Sequence, residues 1–281
     1  MSVHEVAEAG FGGGAEVYDR SRPSYPPDAV AYLVAMLDIG PRRRVCDLAA
    51  GTGIFTRLVA TAGADLVACE PIAGMRARLR ASLPSTPVVA GTAERLPFAT
   101  ASLDVVTIMQ ALHWFDGPAA TRELHRVLGP GGRVGFAWNA RDRSVDWVDR
   151  VWAVMDRVEK RAPWRDHDER DRPDERDRHD DSGAPGEQFG DPNGWTRGRA
   201  GTFTEGFGPI RYAAFRHEQP VTPQGVVERV LGVSHVQVLP AAERAAVLDE
   251  VADIVAHHPD TAGRDRLALP YRVDCYWTER T

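Results

Sequence analysis

The sequence predicts an α/β fold with a parallel sheet covered by helices on both faces. Two observations carry that expectation. From Arg44 onward, short apolar runs alternate with amphipathic stretches, and the runs are too continuous for strands with one face in water. The first run also ends in an acid followed by a Gly-x-Gly turn that opens a helix, the local grammar of a strand–turn–helix unit with a ligand at its bend.

Each element follows in order. RVCDLA (44–49) reads as a buried strand and IFTRLVATAG as a helix ending at Gly63. DLVACE (65–70) is a second strand, GMRARLRASL (74–83) a second helix and PVVAG (87–91) a short third strand. LDVVTIMQ (103–110) is the fourth strand and AATRELHRVL (119–128) the next helix; GPGG makes a turn before a fifth strand, RVGFAW (133–138). Cys46 and Cys69 would be buried neighbours on adjacent strands, and with Cys275 they make an odd number without metal-like spacing. His125, on a helix whose opposite face is apolar, is expected in solvent. SVDWVDRVWAVMDRVEKR is a plausible amphipathic helix. It runs into residues 165–181, where nine acids and five arginines cannot bury enough apolar surface to offset ordering, so a solvated insertion is expected. Residues 208–219 form a further strand and two helices cover 222–232 and 240–257. A last strand lies in RLALPYRVDCYWTER, with Pro270 favouring an edge or a bulge. This divides the chain into an N-terminal lid segment (1–35), a cofactor-binding core (36–140), a helix with the charged insertion (141–206) and the remaining strands with a helical substrate cover (207–281).

The net charge of −6 argues against broad nucleic-acid or anionic-membrane binding. No apolar run approaches 18 residues, and the acidic, glycine-rich start does not resemble a secretion signal, so the cytoplasm is the expected location.

DLAAGTGIFT (Asp47 to Thr56) is the most informative motif. Gly51 and Gly53 permit positive φ and let a ligand approach the backbone. Glu70, 19 residues after Gly51, ends the next strand, where an acid reaches ribose hydroxyls in a Rossmann-like unit. Thr56 replaces the third small residue of a dinucleotide fingerprint. A carboxylate at Asp47 would repel a diphosphate but suits a cationic amino-acid moiety.

VCDLAAGTG, ACEPIAGM, AGTAERLPF, SLDVVTIMQALHWF and HRVLGPGGRVGFAW occur in the order and spacing of class I S-adenosylmethionine-dependent methyltransferases, which residues 44–140 therefore resemble. GGAEVYDRSRPSYP, WNARDRSVDWV and LPYRVDCYW are similar to a bacterial small-molecule branch that includes trans-aconitate methyltransferase-like proteins. The resemblance implies a seven-stranded mixed sheet with its last strand antiparallel, helices on both faces and a helical cover. It implies S-adenosylmethionine as cofactor, with Asp47 holding the methionine ammonium directly or through water. Gly51 and Gly53 would shape the turn, Glu70 would bind both ribose hydroxyls, Pro71 and Met75 would line the adenine slot, and Thr92, Ala93 and Glu94 would meet the adenine edge. Ala49 stands at a frequent glycine position, and Thr92 where many relatives have Asp. Tyr18, Arg22 and Tyr25 lie in an N-terminal segment that folds over the cofactor in related enzymes.

In open α/β sheets ligands sit beyond the carboxyl ends of the strands, which brings Gln110, Ala111, Leu112, His113 and Trp114 towards the transferred methyl. His113 is a candidate base or substrate orienter; the competing reading is a ring that only shapes the pocket. Trp114 and Phe115 read as pocket wall or core, Asp116 as a helix cap, and His235 and His217 as weaker pocket candidates. The expected activity is in-line methyl transfer to an O, N or C atom of a small molecule, in specialised metabolism as readily as elsewhere, by a monomer or homodimer without nucleic acid, membrane or metal. The alternatives are a cofactor-binding protein without methyl transfer and, behind it, a nicotinamide-dependent oxidoreductase.

Overall fold

The computed structural model describes residues 22–160, 188–189, 203 and 205–281. The charged 165–181 segment and Tyr18 lie outside the described residues. The elements are α1 (Pro27–Leu37), β1 (Arg44–Leu48), α2 (Ile54–Val59), β2 (Asp65–Cys69), α3 (Ala73–Ser82), β3 (Val88–Val89), β4 (Leu103–Met109), α4 (Gly117–Val127), β5 (Leu128–Arg141), α5 (Asp146–Lys160), β6 (Gln188–Phe189), β7 (Arg211–Val221), α6 (Pro223–Leu231), α7 (Ser234–Gln237), α8 (Ala241–His257) and β8 (Leu267–Glu279).

The chain divides into two compact units, one of Tyr25–Asn139, Arg170–Phe215 and Val273–Thr281, the other of Met1–Ser24, Ala140–Glu169 and Arg216–Arg272. The first holds most of the sheet, ordered β3-β2-β1-β4-β5-β8-β7-β6, with residues 216–221 of β7 and 267–272 of β8 assigned to the second. β1 pairs in parallel with β2 and β4, and β4 with β5. Backbone bonds from Gly131 N–H to the Arg280 carbonyl and from Arg280 N–H to the Gly132 carbonyl run β8 antiparallel to β5. The sheet is thus the expected seven-stranded mixed one with a two-residue eighth strand, β6, added at its edge. Two expectations need correction. GPGG is not a free turn: the same two bonds to Arg280 draw Gly131 and Gly132 into β5. And of the edge or bulge that Pro270 suggests, the edge does not hold: β8 lies between β5 and β7, with Pro270 near its start contributing its carbonyl to the Asp142 N–H.

The period-two alternation of the strands sends side chains to opposite faces. Val106, Ile108, Val134, Phe136, Trp138 and Tyr276 join Ala120, Leu124 and Val127 of α4 in one core. Val45, Val105, Ala137, Val273, Cys275 and Trp277 join Leu33 and Leu37 of α1 and Phe55 and Val59 of α2 in the other. Leu33 and Leu37 are at most 1% exposed, and burying each stabilises the helix–sheet contact by about 1.5–3 kcal/mol. Contact there is close: a Cβ on Gly135 would come within 2.4 Å of Leu37 Cδ1. Cys46 and Cys69 are indeed fully buried neighbours, the Cys46 thiol pushed up by its hydrogen bond with Cys69 and by burial. His125 is not solvated; half-buried, it accepts from Arg280 Nε (3.3 Å) and meets the ring of Phe207 edge-on.

In the second unit, α8 packs on α5 and α6, and α5 on α7. Its core gathers Trp147, Val151, Trp152, Val226, Val251 and Leu269. Among the described residues no helix is long and apolar enough to cross a membrane.

Candidate functional site

β1 and β2 each deliver an acid to the carboxyl end of the sheet. Asp47 is the fourth residue of β1, paired with Ala68 on one side and Thr107 on the other. It is 1% exposed, and its two oxygens are engaged by hydroxyls: Thr107 Oγ1 donates to Oδ1 (2.8 Å) and Thr56 Oγ1 to Oδ2 (2.5 Å). Burial pushes the carboxyl up to about 6, against the opposing pull of the two hydroxyls, and the Glu70 charge adds to the rise.

Glu70 follows β2 and is also buried. Its Oε2 accepts from Gly51 N–H (2.9 Å) and its Oε1 from Ile72 N–H (2.8 Å), so one carboxylate ties the turn after β1 to the start of α3. Burial raises its pKa too, moderated by those two N–H groups. Each oxygen of an ionised carboxylate has about two acceptor positions, which leaves one per oxygen for further donors.

Between the two acids the backbone turns through left-handed geometry, with φ of 53° at Ala49, 59° at Gly51 and 86° at Gly53. The two glycines hold this conformation without penalty, whereas Ala49 carries its methyl there at a cost of about 1–2 kcal/mol. Met75, from α3, is 3% exposed, its sulfur 3.6 Å from where a Cβ on Gly51 would stand. Pro71 is half-buried beside it in sequence. Ala93 is buried, while Thr92 and Glu94 are half-buried in the turn closed by Arg95 N–H on the Thr92 carbonyl. Glu94 Oε1 accepts from Asp116 N–H (3.0 Å), which ties that turn to the segment after β4.

Gln110, directly after β4, is another non-glycine residue in left-handed geometry (φ 61°), its N–H bonded to the Ala137 carbonyl of β5. A single 3-10 turn, Leu112–Trp114, follows. His113 and Trp114 are both half-buried, their ring centroids 4.9 Å apart. Phe115 is 7% exposed and belongs to the core. Asp116 caps α4, accepting from Ala119 N–H (3.0 Å), as its position before Gly-Pro suggests. Tyr25 packs edge-on against Phe55 in the opposite core.

The sheet unit thus brings together Asp47, Ala49, Gly51, Gly53, Glu70, Met75, Glu94, Gln110 and His113. Arg22 and His235 belong to the other unit; Arg22 is half-buried, and the His235 side chain lies outside the described residues. Sequence reasoning missed the part played by Thr56 and Thr107. Thr56 stands out only as a departure from a glycine fingerprint, yet its hydroxyl is an anchor for Asp47. Thr107 gives no local signal, because only the β1–β4 register puts it directly opposite Asp47.

A family model described as a methyltransferase domain matches residues 46–136. An uncharacterized methyltransferase of Mycobacterium tuberculosis is 36% identical over 265 residues, covering 94% of this chain and 93% of that protein. A demethylmenaquinone methyltransferase of a Mycobacterium species is 46% identical over 101 residues, 36% of this chain and 43% of its own. Among solved structures, one described as a methyltransferase from an antibiotic biosynthesis pathway of Anabaena variabilis aligns with a TM-score of 0.54. It is 15% identical and covers 88% of this chain and 96% of that one, a likeness of fold.

Proposed function

The chain belongs to the class I S-adenosylmethionine-dependent methyltransferases, and on that premise we propose that it methylates a small organic molecule held against the segment after β4. The observation that carries the site assignment is the pair of buried carboxylates at the ends of β1 and β2, separated by a turn of left-handed residues. Burying two acids this closely is costly unless the site has work for their charge.

The residues present fit the cofactor. Glu70 keeps one free acceptor position on each oxygen after Gly51 and Ile72 are served, which suits a ribose diol. Asp47 is too buried, and too fully held by Thr56 and Thr107, to reach out as a flexible partner. Its role is a fixed negative charge beneath the turn, favouring the ammonium of the amino-acid part. Met75, Pro71 and Ala93 supply an apolar wall for the adenine, and Glu94 and Thr92 polar atoms at its edge. When bound, the cofactor supplies a methyl carbon on a positively charged sulfur, so the protein's task is to orient the acceptor and exclude water. Gln110, fixed by its bond to Ala137, and His113, half-buried on the next turn, are the groups placed to do this. His113 orients the acceptor or removes its proton.

The demethylmenaquinone relative acts, by its name, on a small organic acceptor, and the net charge of −6 disfavours a nucleic acid. Both support a small-molecule acceptor. The test is incubation with methyl-labelled cofactor and a fractionated pool of small metabolites. Label appearing in a small product supports the reading. Tight S-adenosylhomocysteine binding with no label transferred across the pool would refute it in favour of a cofactor-binding protein.

A further inference from the structure

The helical unit contains a buried cation with no anion beside it among the described residues. Arg229, on α6, is 2% exposed. Its Nε donates to the Tyr271 hydroxyl at 3.4 Å, while Nη1 is buried with no hydrogen-bond partner among the described residues. Other arginines of this unit are paired: Arg143 with Asp149 and Asp156, and Arg157 with Glu250. No carboxylate among the described residues pairs with Arg229.

Tyr271 compounds the imbalance. It is 1% exposed, and its oxygen accepts from Arg229. A guanidinium has no lone pair to offer, so the tyrosine's own hydrogen points elsewhere, and no acceptor for it occurs among the described residues. His217 stacks on the Tyr271 ring (5.4 Å, 22°), which fixes its plane. The side chains that share this core, Val226, Val230, Trp152 and Leu269 among them, are apolar. Among the described residues, two buried donors, one charged, therefore meet without an acceptor. An unpaired buried cation costs several kcal/mol and is removed at no loss by an apolar residue unless something else requires it.

We propose that Arg229 and Tyr271 form a binding site for a small organic carboxylate within the helical unit. A planar carboxylate offers one oxygen to the guanidinium Nη1 and the other to the tyrosine hydroxyl, satisfying both donors and the charge together.

The experiment uses the full chain without cofactor, titrated with acetate, succinate, citrate and inorganic phosphate. Melting temperature and the fluorescence of Trp147 and Trp152, which share the Tyr271 core, report binding. At least one carboxylate should bind saturably and raise the melting temperature. Arg229→Met and Tyr271→Phe should each weaken it about 10- to 100-fold, the worth of a charge-assisted hydrogen bond. Arg229→Met should also melt above the wild type when no anion is present. Absence of saturable carboxylate binding, unchanged affinity in both variants, or phosphate binding tighter than every carboxylate would overturn the proposal. Should Arg229→Met fail to fold, the Tyr271→Phe affinity decides alone. Because binding is read without methyl transfer, failure here leaves the transferase reading standing. A chain that binds carboxylates and never releases methyl fails only the other.

Discussion

Replacing Asp47 by asparagine should make the protein more stable and worse at holding its cofactor. The carboxyl is pushed from an ordinary 3.8 up to about 6. One pH unit is worth about 1.4 kcal/mol, so keeping Asp47 ionised at pH 7 costs the folded state about 3 kcal/mol. The folded state binds this proton more tightly than the unfolded chain. Stability is therefore gained as pH falls from 7 through 6, is fully present by about pH 4, and is lost again as pH rises. Between pH 7 and pH 5 the gain is about 1.3 kcal/mol. Asparagine removes the charge but presents an NH2 group where one threonine hydroxyl now donates. That hydroxyl can rotate and accept instead, at a cost of about 1 kcal/mol. The net effect at pH 7 is about 2 kcal/mol of added stability, or about 4–8 °C in melting temperature. Differential scanning fluorimetry from pH 5 to pH 8 should show the wild type melting higher at pH 5 than at pH 7 by about 3–5 °C more than the variant does. Calorimetry with S-adenosylhomocysteine should show at least tenfold weaker binding in Asp47→Asn, and in the wild type a loss of affinity below about pH 6. If the variant melts at or below the wild type at pH 7 and follows the same pH trend, the buried-charge account of Asp47 is wrong.

Glu70→Gln should behave in the opposite sense, losing about 1–3 kcal/mol by denaturant titration. Its two oxygens accept from backbone N–H groups that cannot reverse direction, so the new NH2 faces a donor and leaves it unpaired. Ala49→Gly relieves the left-handed strain at φ 53° and should add up to about 1 kcal/mol in the same titration. His113→Ala should lower the rate of methyl transfer about 10²- to 10⁴-fold if the ring removes a proton, with S-adenosylhomocysteine affinity intact; a rate near wild type would reduce His113 to scaffold.

Much of the sheet unit is legible in the sequence. Strand-length apolar runs and the helices between them marked β1 to β5, because parallel strands buried on both faces leave an unambiguous hydrophobic signature. Asp47, Glu70 and the glycine turn were found from chain spacing alone. What escaped depends on contacts remote in sequence. Nothing local in GPGG says that it pairs with Arg280, and Pro270 reads as an edge residue because the insertion of β8 between β5 and β7 is invisible to a window of ten residues. Thr107 and Asp47 are 60 residues apart, and Arg229 and Tyr271 are 42 apart. A hydroxyl or guanidinium in an otherwise apolar helix or strand announces little until its partner, or lack of one, is seen.

The place of β8 carries a consequence for biosynthesis. β1 to β5 are complete by residue 141, yet the strand that closes the flank of β5 is the last in chain order, at 267–279. Throughout translation of the intervening stretch, β5 presents an unpaired row of peptide groups, and the two cores lack Tyr276 on one side and Val273, Cys275 and Trp277 on the other. A nascent chain in that state has an adhesive sheet edge, the condition that invites chaperone capture or intermolecular pairing on crowded polysomes. Ribosome stalling or premature termination between residues 141 and 267 should therefore yield aggregates rather than a folded fragment.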